Sequence, residues 1–255
     1  MKKHSPRMPR APAVLGAFNM NDVAKQAQEI LSQIKRLSSP RFKKQMSERF
    51  GINTEFAVGT PVTKLRELAK TIAHPNQQLA ETLWQTNVHE ARILASILAD
   101  PARIGATTLK TWVHDLNSWD ICDACAGNLF CKLKNPLPLI ERWMKNEEEF
   151  VRRAGFATLA FLAMPRAKTP DNALLPFMPL IKIHAADPRP MVHKAVNWAL
   201  RNIGKKNPRL TPFALACVDD ILDLYEDNKA ARWVAHNARW ELNSPKIKAL
   251  ISSRR

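Results

Sequence analysis

Glycine is scarce in this chain, with only 7 in 255 residues, and none of them follows an Asn or Asp. Without Asn-Gly or Asp-Gly pairs, and without alternating strands of useful length, folds built from β-hairpins are excluded. Cysteine is scarce as well: Cys122, Cys125, Cys131 and Cys217. The 122/125 pair invites a zinc or redox reading, but zinc needs four ligands and no second Cys pair or spaced His pair follows. Both thiols sit in a helical pattern beside Ala124 and Ala126, so they read as packing groups. No apolar run is long enough to span a membrane and no secretory segment precedes the cysteines. The expectation is a cytoplasmic, nucleoid-associated chain with free thiols. Acidic residues are the last shortage: 23 Asp and Glu stand against 39 Lys and Arg, a net charge of +16 and a pI near 10.1. That balance calls for a polyanionic partner.

The excess charge is uneven. Residues 1–50 hold 11 Lys and Arg against 3 Asp and Glu, leaving +8 for the rest of the chain. Residues 1–20 are Pro-rich, basic and aperiodic, and read as a disordered arm. From residue 21 to 255 the pattern is helical almost throughout, in one domain. Breaks at Ser39-Pro40, Asn135-Pro136, Thr169-Pro170, Asn207-Pro208 and Ser244-Pro245 place a small polar residue before Pro, a helix start signal. Helices of ~10–18 residues are expected between breaks.

A faint internal repeat runs through HEARILASIL, CDACAGNLF, RRAGFATLAF, HKAVNWALRNI and VAHNARWEL. Aligning Ala91, Ala124, Ala154, Ala195 and Ala235 gives steps in the range of two-helix repeats. The predicted fold is all-α: an α-solenoid of HEAT-like repeats, with one helix of each pair lining a concave basic groove. The residues just before the aligned alanines, Glu90, Asp123, Arg153 and Lys194, then share one phase. Spacings of four and seven add Trp119 to the face of Asp123, and Trp198 and Arg201 to that of Lys194.

In such a groove Arg153, Lys194 and Arg201, with Arg152, Lys205 and Lys206 nearby, would contact phosphates. Trp119 and Trp198 would supply aromatic walls, whereas Trp84, Trp112 and Trp143 sit in apolar patterns and read as core. Asp123 is the odd member, because a carboxylate repels phosphate. It becomes useful where positive charge develops on a deoxyribose, as in cleavage of an N-glycosidic bond. A base that already carries positive charge leaves without a general acid, so the chemistry needs only one carboxylate and aromatic walls. Asp120 lies off the face and reads as a cap or packing ligand.

These same residues carry a family resemblance. KLRELAK, LWQTNVHEARILA, SWDICD, EEFVRRAGFA and VHKAVNWALRNIGK together resemble the AlkD-like DNA alkylation repair family, the HEAT-like-repeat DNA glycosylases, from about Asn21 to Leu242. The resemblance implies catalytic roles for Trp119, Asp123 and Trp198, and backbone contacts for Arg153, Lys194 and Arg201. It implies excision of cationic alkylpurines of the 3-methyladenine and 7-methylguanine type from double-stranded DNA, without metal or other cofactor and without a deep base-flipping pocket. Members of the family carry an N-terminal aromatic near the lesion; here the segment SPRFKKQMSERFGINTEFAVGTP has extra residues, and Phe42 is the candidate. Nothing in the sequence demands an oligomer, and a monomer is expected. The competing readings are a non-catalytic repeat protein that binds damaged or branched DNA, and a protein-binding scaffold with a basic arm.

Overall fold

The computed structural model describes residues 20–73 and 75–253. The arm expected over residues 1–20 lies outside them, except that the first helix already begins at Met20. Among the described residues every regular element is helical. In order they are α1 (Met20–Arg36), α2 (Pro40–Glu48), α3 (Val62–Lys70), α4 (Gln77–Gln85), α5 (His89–Leu98), α6 (Ala106–His114), α7 (Trp119–Asn128), α8 (Leu137–Met144), α9 (Glu149–Leu162), α10 (Asp171–Leu174), α11 (Met178–Ala185), α12 (Pro190–Lys206), α13 (Thr211–Leu224), α14 (Lys229–Asn243) and α15 (Pro245–Ser252). None of them is long and apolar enough to cross a membrane.

The helices stack as the repeat predicts. Helix α4 packs on α5, α8 on α9, α11 on α12 and α13 on α14, while α5, α7, α9, α12 and α14 form a continuous row in which each touches the next. Of the aligned alanines, Ala91, Ala154, Ala195 and Ala235 are essentially fully buried; Ala124 is half-buried. A small side chain at that point lets neighbouring helices approach closely. The row is also laced by side chains that reach into the next repeat. Asn128 donates to Ser96 Oγ at 3.0 Å, Asn202 to the Ala160 carbonyl at 2.9 Å and Asn197 to the Val234 carbonyl at 2.9 Å. Each bond satisfies a polar group that stacking would otherwise strand away from water.

Proline placement follows the sequence signals. Ser39 caps α2, its Oγ accepting from the Phe42 amide at 3.3 Å with Pro40 in the first turn. Pro245 likewise opens α15, where Ser244 makes no side-chain cap and its hydroxyl donates to the Glu241 carbonyl at 2.8 Å. The tryptophans expected in the core are there: Trp84 and Trp112 stack with ring centroids 4.2 Å apart and planes 6° from parallel, and Trp143 packs against Phe130. Cys122, Cys125 and Cys217 are buried free thiols. Burial pushes all three up in pKa, Cys217 to about 12, which suits packing rather than thiolate chemistry.

One expected groove residue is corrected. Glu90 does not face the concave side; it is fully buried and accepts from the backbone amides of Val58, Gly59 and Thr60 at 3.0, 2.6 and 3.1 Å. Its carboxylate gathers the loop between α2 and α3 onto the start of α5. Gly59 sits at φ +93°, and a Cβ there would lie 2.7 Å from Lys43 Cβ and 2.8 Å from the Ser39 carbonyl, so both conformation and space require glycine.

Helix α9, at the centre of the row, crosses α8 through Gly155. A Cβ at Gly155 would lie 2.7 Å from Met144 Cγ and 2.8 Å from both the Ile140 carbonyl and the Met144 amide nitrogen. Backbone atoms cannot turn aside as a side chain can. Gly155→Ala should therefore destabilise the fold by about 1–3 kcal/mol, seen as a lower urea midpoint at unchanged slope. An unchanged midpoint would mean that the α8–α9 crossing is looser than described.

Candidate functional site

Helix α7 begins at Trp119, after Ser118 in extended conformation. Asp120 fixes this first turn: its Oδ1 accepts from the Ile121 amide at 3.0 Å and from the Ser118 hydroxyl, and its Oδ2 pairs with His89 Nε2 at 2.8 Å. Burial works against ionisation of Asp120, but His89, Ser118 and the Ile121 amide together outweigh it and hold its pKa below the usual value. Asp120 is thus the packing ligand that the sequence suggests. It ties α7 to α5 and so sets the orientation of Trp119 and Asp123 on the other face.

Trp119 is half-buried, and its indole donates to the Phe50 carbonyl at 3.0 Å. Phe42 and Trp119 both pack on the small cluster of Met46, Ile52 and Ala57. They line a cavity of about 120 Å³ together with Met46 and Ile52. The extra N-terminal residues are therefore a brace behind Trp119, and the structure brings Phe42 to it.

One turn beyond Trp119 stands Asp123, 23% exposed. Arg153 of α9 holds it: Nε and Nη2 donate to Oδ1 at 3.1 and 2.9 Å, and Nη2 also reaches Oδ2 at 2.9 Å. The remaining nitrogen, Nη1, donates to the Met191 carbonyl in the first turn of α12 at 2.6 Å. One guanidinium thus joins three helices of the row and fixes the carboxylate in its plane. Burial raises the Asp123 pKa above its ordinary value near 3.8, with the Arg153 charge working in the opposite direction.

Met191, Lys194, Trp198 and Arg201 recur at three- and four-residue intervals and share one face of α12. Lys194 is exposed and Trp198 half-buried. Trp198 meets Phe161 of α9 edge-on, centroids 5.1 Å apart and planes at 73°. Phe161 in turn fills the space over Gly127 of α7, where an added Cβ would lie 2.5 Å from its ring. Two levels of contact follow along the parallel helices, Asp123–Arg153–Met191 and, further on, Gly127–Phe161–Trp198. Gly127 is one turn past Asp123 and Trp119 one turn before it, so Trp119 lies on the N-terminal side of the carboxylate along α7 and the Phe161–Trp198 contact on its C-terminal side.

The cations are placed differently from expectation. Arg153 is nearly buried and engages all three guanidinium nitrogens inside the protein, so it is a partner of Asp123 rather than a free cation for phosphate. Arg152 turns the other way, to the Asn146 carbonyl and Asp187 at 2.7 Å each and to Glu147 at 3.3 Å. Lys206 is buried and donates to the carbonyls of Met164 and Ala167 at 3.4 and 2.9 Å. Arg201 and Lys205 both pair with Glu241. The common cause is stacking: helix ends and carboxylates buried between repeats need donors, and these long side chains are within reach. Of the six expected phosphate contacts Lys194 alone is exposed. Two residues on the same row escaped notice in the sequence. Trp233 and Trp240 of α14 are 42% and 75% exposed; the Arg-Trp pair repeated after seven residues in RWVAHNARW was their signal.

Known proteins agree with this architecture. A solved structure described as belonging to "a new family of proteins related to the HEAT-like repeat DNA glycosylases with affinity for branched DNA structures" superposes with a TM-score of 0.66 at 20% identity, over 76% of this chain and 82% of that one. At that identity the likeness speaks to the fold, an α-solenoid of HEAT-like repeats. No curated protein matches the chain. The profile of the family described as DNA alkylation repair enzyme matches residues 30–242, nearly the whole folded region, and the chain belongs to that family.

Proposed function

We propose that this protein is a monofunctional DNA glycosylase that hydrolyses the N-glycosidic bond of cationic alkylated purines in duplex DNA. The observation that carries the proposal is Asp123: a carboxylate oriented by Arg153, still 23% exposed, on the same row of helices as Trp119, Trp198 and the exposed Lys194. A duplex-binding surface gains nothing from an anion there. In the proposed reaction the C1′–N bond breaks and its electron pair leaves with the base, whose positive charge is thereby neutralised. The sugar becomes oxocarbenium-like. Asp123 stabilises it and takes a proton from the water that attacks C1′, leaving an abasic site. Trp119 and Trp198, on either side of the carboxylate, present aromatic faces to the distorted nucleotide. Lys194 contributes a phosphate contact whose loss would weaken binding on all sequences alike.

Asp123→Asn should lower release of methylated purine from alkylated duplex DNA by about 100-fold or more, while binding to undamaged duplex stays equal or tightens. A wild type that releases nothing above the spontaneous rate, or an equally active variant, would sink the proposal. A second reading has its own support in the ion pair, which largely neutralises Asp123, and in the similar structure whose name specifies branched-DNA affinity. On that reading the protein binds without excising.

The pH dependence separates the two. Only the ionised Asp123 works in the proposed step, so the rate should fall as pH drops through its folded pKa, which burial lifts above 3.8. Arg153→Gln removes the charge that pulls this pKa down, so the acid limb of the rate profile should move to higher pH. A limb that stays in place would show that Asp123 is not the titrating group.

A further inference from the structure

Helix α14 carries a stripe that neither the fold nor the proposed chemistry uses. Lys229, Trp233, His236 and Trp240 recur at four-, three- and four-residue steps, on one face, and all four are exposed. The same helix buries Ala231, Val234, Ala235, Ala238 and Leu242, so both indoles stand outside its packing face. Exposing Trp240 to 75% is unfavourable unless something covers it, since a large aromatic gains most from burial.

The stripe continues the surface of the candidate site. His193 of α12 lies against Trp233, ring centroids 5.4 Å apart, and Arg201 of α12 pairs with Glu241, next to Trp240. Trp233 therefore stands level with Lys194, and Trp240 level with Arg201. Beside Trp233 opens a cleft of about 350 Å³ walled by Pro188, His193 and Lys229, within the size range that takes a small ring system. Lys229 and Arg232 are exposed beside it; Asp187, next to Pro188 of its wall, is held by Arg152 and Arg189, while Glu226 and Asp227 are exposed just before α14.

We propose that α14 is a second nucleic-acid contact, a stacking platform for unpaired DNA nucleotides, with Trp233 and Trp240 as the stacking rings and Lys229 and Arg232 as phosphate contacts. Exposed indoles with cations on the same helix match single strands, in which each base offers a free face. In a closed duplex the bases are stacked on one another and offer none. The two rings are separated by about 10 Å of helix rise, enough for each to hold its own base rather than share one. Helix α14 is three helices along the row from α7, about 27 Å at usual packing distances, or roughly eight base pairs of duplex. A lesion at Asp123 would thus lie within a duplex arm while an unpaired strand engaged α14. The inference rests only on the DNA-binding part of the proposed function.

The test uses undamaged DNA, so that its outcome is independent of base release. Affinities of the full chain for a forked duplex with unpaired arms, and for a blunt duplex of equal paired length, are measured by fluorescence anisotropy. The wild type should prefer the fork. Trp233→Ala and Trp240→Ala should each weaken fork binding by roughly tenfold and leave blunt-duplex binding within about twofold, while the Trp→Phe versions retain most of the preference. Equal loss on both DNAs, or no loss on the fork, overturns the proposal. It is also overturned if sedimentation shows a wild-type dimer that the Trp240→Ala variant dissolves, because the stripe is then a contact between copies of this chain.

Discussion

The ion pair between Asp123 and Arg153 is the interaction on which the candidate site depends. Removing both charges from water is costly, and their attraction compensates only when geometry is good and the remaining donors are satisfied. Here the carboxylate receives three contacts from one guanidinium, and the fourth donor goes to the Met191 carbonyl. The pair therefore links α7, α9 and α12 and fixes which face of α12 turns toward α7. Trp198 and Lys194 take their positions from that face. Behind α7, the bond from Trp119 to the Phe50 carbonyl and the pairing of Asp120 with His89 prevent the helix from rotating to relieve the carboxylate. The site is preorganised by contacts that are themselves part of the stacking.

The solenoid explains why so few of the cations expected in the groove are free. A helix in the middle of the row is flanked on both sides, so residues at the edges of its exposed face lie between repeats. Arg152, with Arg189, surrounds the buried Asp187 and holds its pKa well below the usual carboxylate range, against the opposing effect of burial. Lys206 closes carbonyls at the end of α9. Such cations contribute to stability more than to binding, and the net charge overstates what DNA would meet. The field of the remainder, centred on exposed groups such as Lys194, Lys229 and Arg232, still favours a polyanion.

Much of this was legible in the sequence. Proline breaks, the spacing of small residues and the lack of glycine turns led to stacked helix pairs, and an interval of four put Trp119 and Asp123 on one face. The buried thiols and the core positions of Trp84, Trp112 and Trp143 followed from apolar patterning. What could not be read were contacts across about thirty residues. The repeat phase aligned Asp123 with Arg153 but did not show that the two side chains meet, and so Arg153 was assigned to phosphate. Glu90 shared that phase, yet the loop it collects has no counterpart in the later repeats. Trp233 and Trp240 are hidden by the rule that an apolar residue in an amphipathic helix faces the core, and the Arg-Trp pair repeated after seven residues is the weak signal against it.

The central claim is that Asp123 acts on positive charge at the sugar. It is tested most directly by comparing duplexes that carry, at one position, either a cationic pyrrolidine analogue of the sugar or the neutral tetrahydrofuran analogue. The account predicts that the wild type binds the cationic duplex on the order of 100-fold more tightly, and that Asp123→Asn abolishes the difference. Equal affinity of the wild type for the two duplexes would contradict it.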